Sequence, residues 1–114
     1  MIELIEPEDV KIVSLARSAR ARTRAREGAC ARDADGRTYA AATVELGSLK
    51  LSAVQLAVAM AASSGARSLE AVAVLGESTT ANDSDLAAVR DLAGAGVTFF
   101  VASPEGEVLE SVTT

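Results

Sequence analysis

Side chains able to do chemistry are few in this chain, and the shortage excludes several mechanisms. Cys30 is the only cysteine and there is no histidine. A zinc centre draws three or four ligands mainly from thiolates and imidazoles, and a nucleophilic cysteine of the Cys-His type needs an imidazole as its base. Neither can be assembled. Cys30 stands between Ala29 and Ala31, where a free cysteine reads as a small buried hydrophobe. Ser52 has only Lys50 nearby in sequence as an activating partner, so a Ser-Lys pair stays open as nucleophile and base. Asn82, Asp83 and Asp85 offer oxygen ligands of the kind magnesium or calcium takes. One short turn would leave most of a calcium shell to water, however, and the spacing is not that of an EF-hand. Capping of a helix by Asn or Asp is the simpler account.

Arg17, Arg20, Arg22, Arg24 and Arg26 follow one another with no acid among them. Arg20 and Arg24 would share a helical face, which makes Arg17, Arg20 and Arg24 a candidate patch for phosphate, RNA or an acidic protein. The alternative is a set of helix C-terminal cations paired with acids of the same chain. No aromatic residue lies beside them to stack a base, and the net charge of −5 leaves no overall basic footprint for nucleic acid.

Elements to position these groups follow from the hydrophobic pattern. The 114 residues fit one domain with one core, spanning residues 1–114. With 49% hydrophobic residues but only one Tyr and two Phe, that core must be built from Ala, Val and Leu. After Pro7, Val10, Ile12, Val13 and Ala16 recur at helical spacing, with Pro in the first turn. Gly28 closes that helix, and two short strands flank the turn signal Asp33-Ala34-Asp35-Gly36, the second running from Arg37 to Val44. Leu51 to Ser64 is apolar nearly all round, as in a buried helix. Leu69 to Leu75 suits a central strand covered on both faces. A third helix starts among Asn82 to Asp85 and ends near Gly94 or Gly96, followed by a strand over Val97 to Ala102. Beyond the turn at Ser103-Pro104-Glu105-Gly106, an alternating strand covers Glu107 to Val112. The order α-β-β-α-β-α-β-β predicts an α/β domain in three layers, α/β/α, around a mixed five-stranded sheet whose last two strands are antiparallel. No apolar stretch reaches the roughly 20 residues of a membrane span and no signal-peptide pattern opens the chain, so a cytoplasmic, membrane-free protein is expected.

The series Gly28-Ala29, Asp35-Gly36, Tyr39, Thr43-Val44-Glu45, Ser52-Ala53-Val54 and Gly65 resembles the small homotetrameric cytidine deaminases. That family carries Gly-Ala, an Asp-Gly turn, Tyr, Asn-(Val/Ile)-Glu, and Cys-Ala-Glu opening a buried helix. The resemblance runs from about Glu6 to Thr113, without a counterpart of the family's C-terminal helix. It implies that Thr43 and Glu45 stand where ribose hydroxyls are held. It also implies that Ser52 replaces a zinc thiolate and Val54 the proton-shuttling Glu. The family's Pro-Cys-x-x-Cys aligns with Ala81 to Asp85, placing Asn82 and Asp85 at the other two thiolates. A bound zinc lowers the pKa of its water and the adjacent carboxylate moves the protons; Ser and Val supply neither function. The resemblance therefore implies a pseudo-enzyme with no zinc or other cofactor, assembled as a homodimer or homotetramer and acting as a scaffold or on a protein partner. The alternative is a sensor that binds a nucleoside or nucleotide through Glu45 without turning it over.

Overall fold

The computed structural model describes all residues, 1–114. Its elements are α1 (Pro7–Thr23), β1 (Gly28–Asp33), β2 (Thr38–Ala42), β3 (Val44–Glu45), β4 (Lys50–Leu51), α2 (Ala53–Ser63), β5 (Leu69–Leu75), α3 (Asp83–Ala93), β6 (Thr98–Ala102) and β7 (Val108–Thr113). The expected order holds, with the two-residue strands β3 and β4 inserted before α2. Five strands form one sheet in the order β2-β1-β5-β6-β7. β5 and β6 run parallel, joined through α3, while β1 pairs antiparallel with both β2 and β5. β6 and β7 are antiparallel as expected.

Side chains alternate across a strand, and the central strands use that alternation to serve two cores. Cys30, Ala71, Ala73, Leu75, Phe100 and Ala102 meet Ile12, Val13 and Ala16 of α1. Ala29, Ala31, Val72, Val74, Phe99 and Val101 belong to the core that includes Ala53, Val54 and Ala57 of α2 and Val89 of α3. The result is the predicted three-layer α/β/α sandwich.

Helix α1 carries Pro at its start, Glu8 and Asp9 in the first turn and Arg20 and Arg22 in the last, all favourable to the helix dipole. Val10 is 47% exposed, so the buried stripe runs instead through Ile12, Val13, Ala16 and Ala19. The helix ends one residue before Arg24, which takes the left-handed conformation at φ 55° and turns the chain away. The shared helical face expected for Arg20 and Arg24 is therefore not formed.

Strand β2 stops at Ala42 rather than Val44. There Thr43 swings to Glu27: its N–H and hydroxyl both donate to the Glu27 carbonyl (3.1 and 3.3 Å), and its Oγ1 accepts the Glu27 N–H (3.0 Å). Val44 and Glu45 then pair with Leu51 and Lys50 in a small hairpin. Helix α2 is buried only along Ala53, Val54, Ala57, Val58 and Ala61. Its outer side leaves Ala59 and Met60 exposed, so the expectation of burial all round is corrected: an apolar helix on the outside of a three-layer domain has one covered face. No helix is long and apolar enough to cross a membrane.

Candidate functional site

A polar cleft of about 510 Å³ lies where the chain leaves β5 and the amino ends of α2 and α3 meet the β3–β4 hairpin. Openings beyond the carboxyl ends of parallel strands are the usual ligand sites of α/β sheets. Its walls include Glu27, Thr43, Glu45, Ser52, Asn82 and Asp85, so residues far apart in sequence converge here. Of the six positions that the resemblance singles out, Thr43, Glu45, Ser52, Val54, Asn82 and Asp85, only Val54 is absent from the walls. It is fully buried in the core beneath them. Arg17, Arg20, Arg24, Cys30 and Asp83 do not line the cleft either.

Ser52 caps α2. Its Oγ accepts the Gln55 N–H at 3.0 Å while Gln55 Oε1 accepts the Ser52 N–H at 2.9 Å, a reciprocal capping box. The hydroxyl proton goes to Asp85 Oδ1 at 2.6 Å, a charge-assisted bond that ties the first turn of α3 to the cap of α2. Lys50 makes no hydrogen bond to Ser52, so the Ser-Lys pairing is not formed. Asp85 is only 3% exposed; burial pushes its carboxyl above the ordinary value, and the Ser52 hydrogen bond partly counteracts this. Asn82 caps α3, its Oδ1 accepting from the N–H and hydroxyl of Ser84 at 2.9 and 2.6 Å. Capping, not cation binding, accounts for it.

At the rim, Glu45 forms an ion pair with Arg26 at 3.1 Å, both exposed. The hydroxyl of Thr43 is occupied by Glu27, so its job is to fix the backbone of the cleft wall. Glu27 was missed by sequence reasoning. Its carboxyl is raised by burial first and by the charge of Asp85 second, with Arg26 and Arg20 opposing. No motif marks it; the only signal is an acid at the foot of the arginine run. Arg20 donates to the Arg26 carbonyl at 3.1 Å and approaches Glu77 at 3.9 Å, an intrachain use. Arg17 is exposed on α1 and Arg24 lies past its end.

The donor set does not fit zinc. Asp85 is one carboxylate, Ser52 is a hydroxyl whose proton is committed to it, and the Asn82 oxygen is spent on Ser84. Cys30 belongs to the core on the α1 side of the sheet, away from the cleft. Burial raises its thiol to about 11, which makes it unreactive near neutral pH. No cluster of three or more His, Cys, Asp or Glu able to hold a metal occurs.

Among solved structures, the chain is similar to the cytidine deaminase of Burkholderia pseudomallei, with 21% identity, 90% of each chain covered and a TM-score of 0.79. It is similar also to the cytidine deaminase of Mycobacterium leprae, at 21% identity over 96% of this chain and 94% of that one, TM-score 0.72. A mutant cytidine deaminase from Mycobacterium tuberculosis matches at 23% identity over 78% of this chain and 81% of that one, TM-score 0.67. No curated protein sequence matches. Identities this low speak for a common fold, and the α/β/α sandwich with its cleft at the helix amino ends is that fold. The model of the cytidine deaminase-like family matches residues 5–106, every element of the sandwich except β7, and the chain belongs to that family.

Proposed function

We propose that this chain is a member of the family that does not carry out zinc-dependent deamination and serves as a homodimeric or homotetrameric scaffold or partner-binding protein of the cytoplasm. The observation that carries the reading is the Ser52–Asp85 hydrogen bond. Two positions that the resemblance assigns to metal ligands are bonded to each other, and Val54 offers no carboxylate between them. The outer side of α2 supports the oligomeric part: Leu56, Ala59 and Met60 line a shallow depression with Tyr39. Small and flexible apolar side chains there allow close approach of a second copy. Protein purified without added metal is expected to hold no stoichiometric zinc and to release no ammonia from cytidine. Light scattering is expected to give a multiple of 11.6 kDa, and Met60→Glu to return the monomer. Stoichiometric zinc together with ammonia release, or a monomeric wild type, would refute the corresponding half of the reading.

A second reading is favoured by the cleft itself, because Glu45 stands on its wall and its ion pair with Arg26 is exposed and weak enough to exchange. Glu45 would hold a nucleoside or nucleotide without turnover. A nucleoside at a hundredfold excess over its dissociation constant adds about 2.7 kcal/mol of stability, readable as a rise in melting temperature that Glu45→Ala abolishes. An equal rise in the variant, or none with any nucleoside, removes this reading.

A further inference from the structure

The cleft holds two carboxylates whose acceptor capacity the protein does not use. Asp85 gives Oδ1 to Ser52, and no other donor of the chain reaches its side chain. The residue is 97% buried by its 3% exposure, yet it has no sealed, unsatisfied oxygen, so Oδ2 opens to the cleft that Asp85 lines. Glu27, on the connection between α1 and β1, is clamped through its backbone by Thr43 while its carboxylate makes no hydrogen bond or ion pair. Arg26, its neighbour, is turned to Glu45 instead.

Gly76, just past the end of β5, shows how closely this acid is seated. A Cβ there would lie 2.9 Å from Glu27 Cγ and 3.1 Å from the Arg26 carbonyl. The missing side chain leaves the space that the Glu27 stem occupies. A buried acid, Asp85, and a partly buried one, Glu27, thus face one cavity from separate elements, each with a free oxygen and neither in an ion pair.

We propose that Glu27 and Asp85 together receive a guanidinium or amidinium group of a small-molecule ligand, a cation-binding function of the cleft that is independent of deamination. A planar cation with several N–H donors matches two carboxylates approached from different sides. Charge-assisted bonds of this type are about twice as strong as neutral ones. A hard metal ion would need more oxygens than the cleft converges. Glu27 is the specificity-determining member, since Asp85 is also held by Ser52.

The test is calorimetric titration of the whole protein with agmatine, and with n-butylamine and cytidine as comparators. Agmatine is expected to bind, with n-butylamine and cytidine at least about tenfold weaker, and Glu27→Gln is expected to weaken agmatine by about tenfold or more. Glu27→Gln removes a partly buried charge with no partner and should fold normally, which its circular dichroism checks. Glu105→Gln, an exposed acid of the turn before β7, serves as the control and should leave the affinity unchanged. Absence of agmatine binding, or equal affinity in Glu27→Gln and wild type, overturns the proposal. Equal binding of n-butylamine overturns the assignment of a planar cation. Preferential binding of cytidine that persists in Glu27→Gln overturns it in favour of the nucleoside reading through Glu45.

Discussion

Gly28→Ala is expected to be the most damaging single-methyl change in the protein. A Cβ at Gly28 would sit 2.1 Å from the Ala16 carbonyl oxygen, 2.8 Å from the Arg20 amide nitrogen and 2.9 Å from Arg20 Cβ. Two of those three atoms are backbone in the middle and last turns of α1, so no rotamer change relieves the clash; the helix must lift off the sheet. That movement opens the core in which fully buried Ile12 and Ala16 meet Cys30 and Ala73. Overpacking usually costs 1–3 kcal/mol where side chains can adjust. Here, with backbone opposed to backbone, we expect a loss of about 3 kcal/mol or more, a large part of the 5–15 kcal/mol that holds a domain together. Thermal unfolding followed by circular dichroism should show a melting temperature lower by roughly 10 °C or more, or no cooperative transition. Gly47→Ala, whose added Cβ meets nothing within 4 Å, is the matched control and should stay within about 0.5 kcal/mol of wild type. A Gly28→Ala protein that melts with the control would mean that α1 does not press on β1 as described.

Much of the fold was legible in the sequence where the chemistry is local, as at Asp33-Ala34-Asp35-Gly36 and Asn82. Gly28, expected to close α1, instead opens β1 five residues beyond the helix end, and its bare Cα serves the close approach of α1 to the sheet. Asp33 Oδ1 accepts the N–H groups of Asp35 and Arg37 at 2.9 and 3.0 Å, and Oδ2 accepts the Tyr39 hydroxyl at 2.8 Å, so the turn is written in the residues that form it. Strand β5, Leu69–Leu75, matches its expected bounds because burial on both faces demands an apolar run, here unbroken from Ala71 to Leu75 with the exposed Glu70 one residue inside its start. The hairpin β3–β4 was not legible: two-residue strands carry no periodicity. Nor was the end of α1 before Arg24, since arginine has no special preference for the left-handed region that it adopts.

For the cleft, sequence led to the right wall but not to the pairings across it. In sequence, Ser52 and Asp85 are two separate losses, and only the approach of α2 to α3 makes them partners. Glu27 carried no motif because its significance is entirely spatial: its environment is set by Gly76, Thr43 and Asp85 from three other parts of the chain. Val54 shows the converse case. Its position in the resemblance suggested a cleft residue, whereas an apolar side chain one step into a helix covered by the sheet goes to the core.

Ser52→Ala is the second large effect, and it separates a cap from a cross-link. Loss of the cap alone costs 0.5–2 kcal/mol, typically about 1. The alanine also leaves the Asp85 carboxylate buried without its donor, and an unsatisfied buried polar group adds about 1–3 kcal/mol. The sum predicts a destabilisation of about 2–4 kcal/mol by denaturant unfolding at neutral pH. Ser52→Gly sorts the two contributions, because glycine at a cap costs only a few tenths of a kcal/mol; most of what Gly loses is therefore the bond to Asp85. Ser52→Thr keeps a hydroxyl at the same position and should recover most of the stability. The pH dependence gives a third readout. Asp85 has its folded-state pKa raised above the ordinary value of 3.8, by burial, with the Ser52 bond lowering it in part. A raised carboxyl binds its proton more tightly in the folded state, so its ionisation destabilises the fold as pH rises through the folded pKa, and acid relieves that cost. Without the hydroxyl the pKa rises further and the cost at neutral pH grows. The deficit of Ser52→Ala should accordingly be largest at pH 7 and shrink as pH falls toward the ordinary carboxylate range, where a protonated Asp85 no longer demands a donor. A deficit under about 0.5 kcal/mol, or one that is the same at pH 7 and in mild acid, would reduce Ser52 to a plain helix cap and take away the tie between α2 and α3.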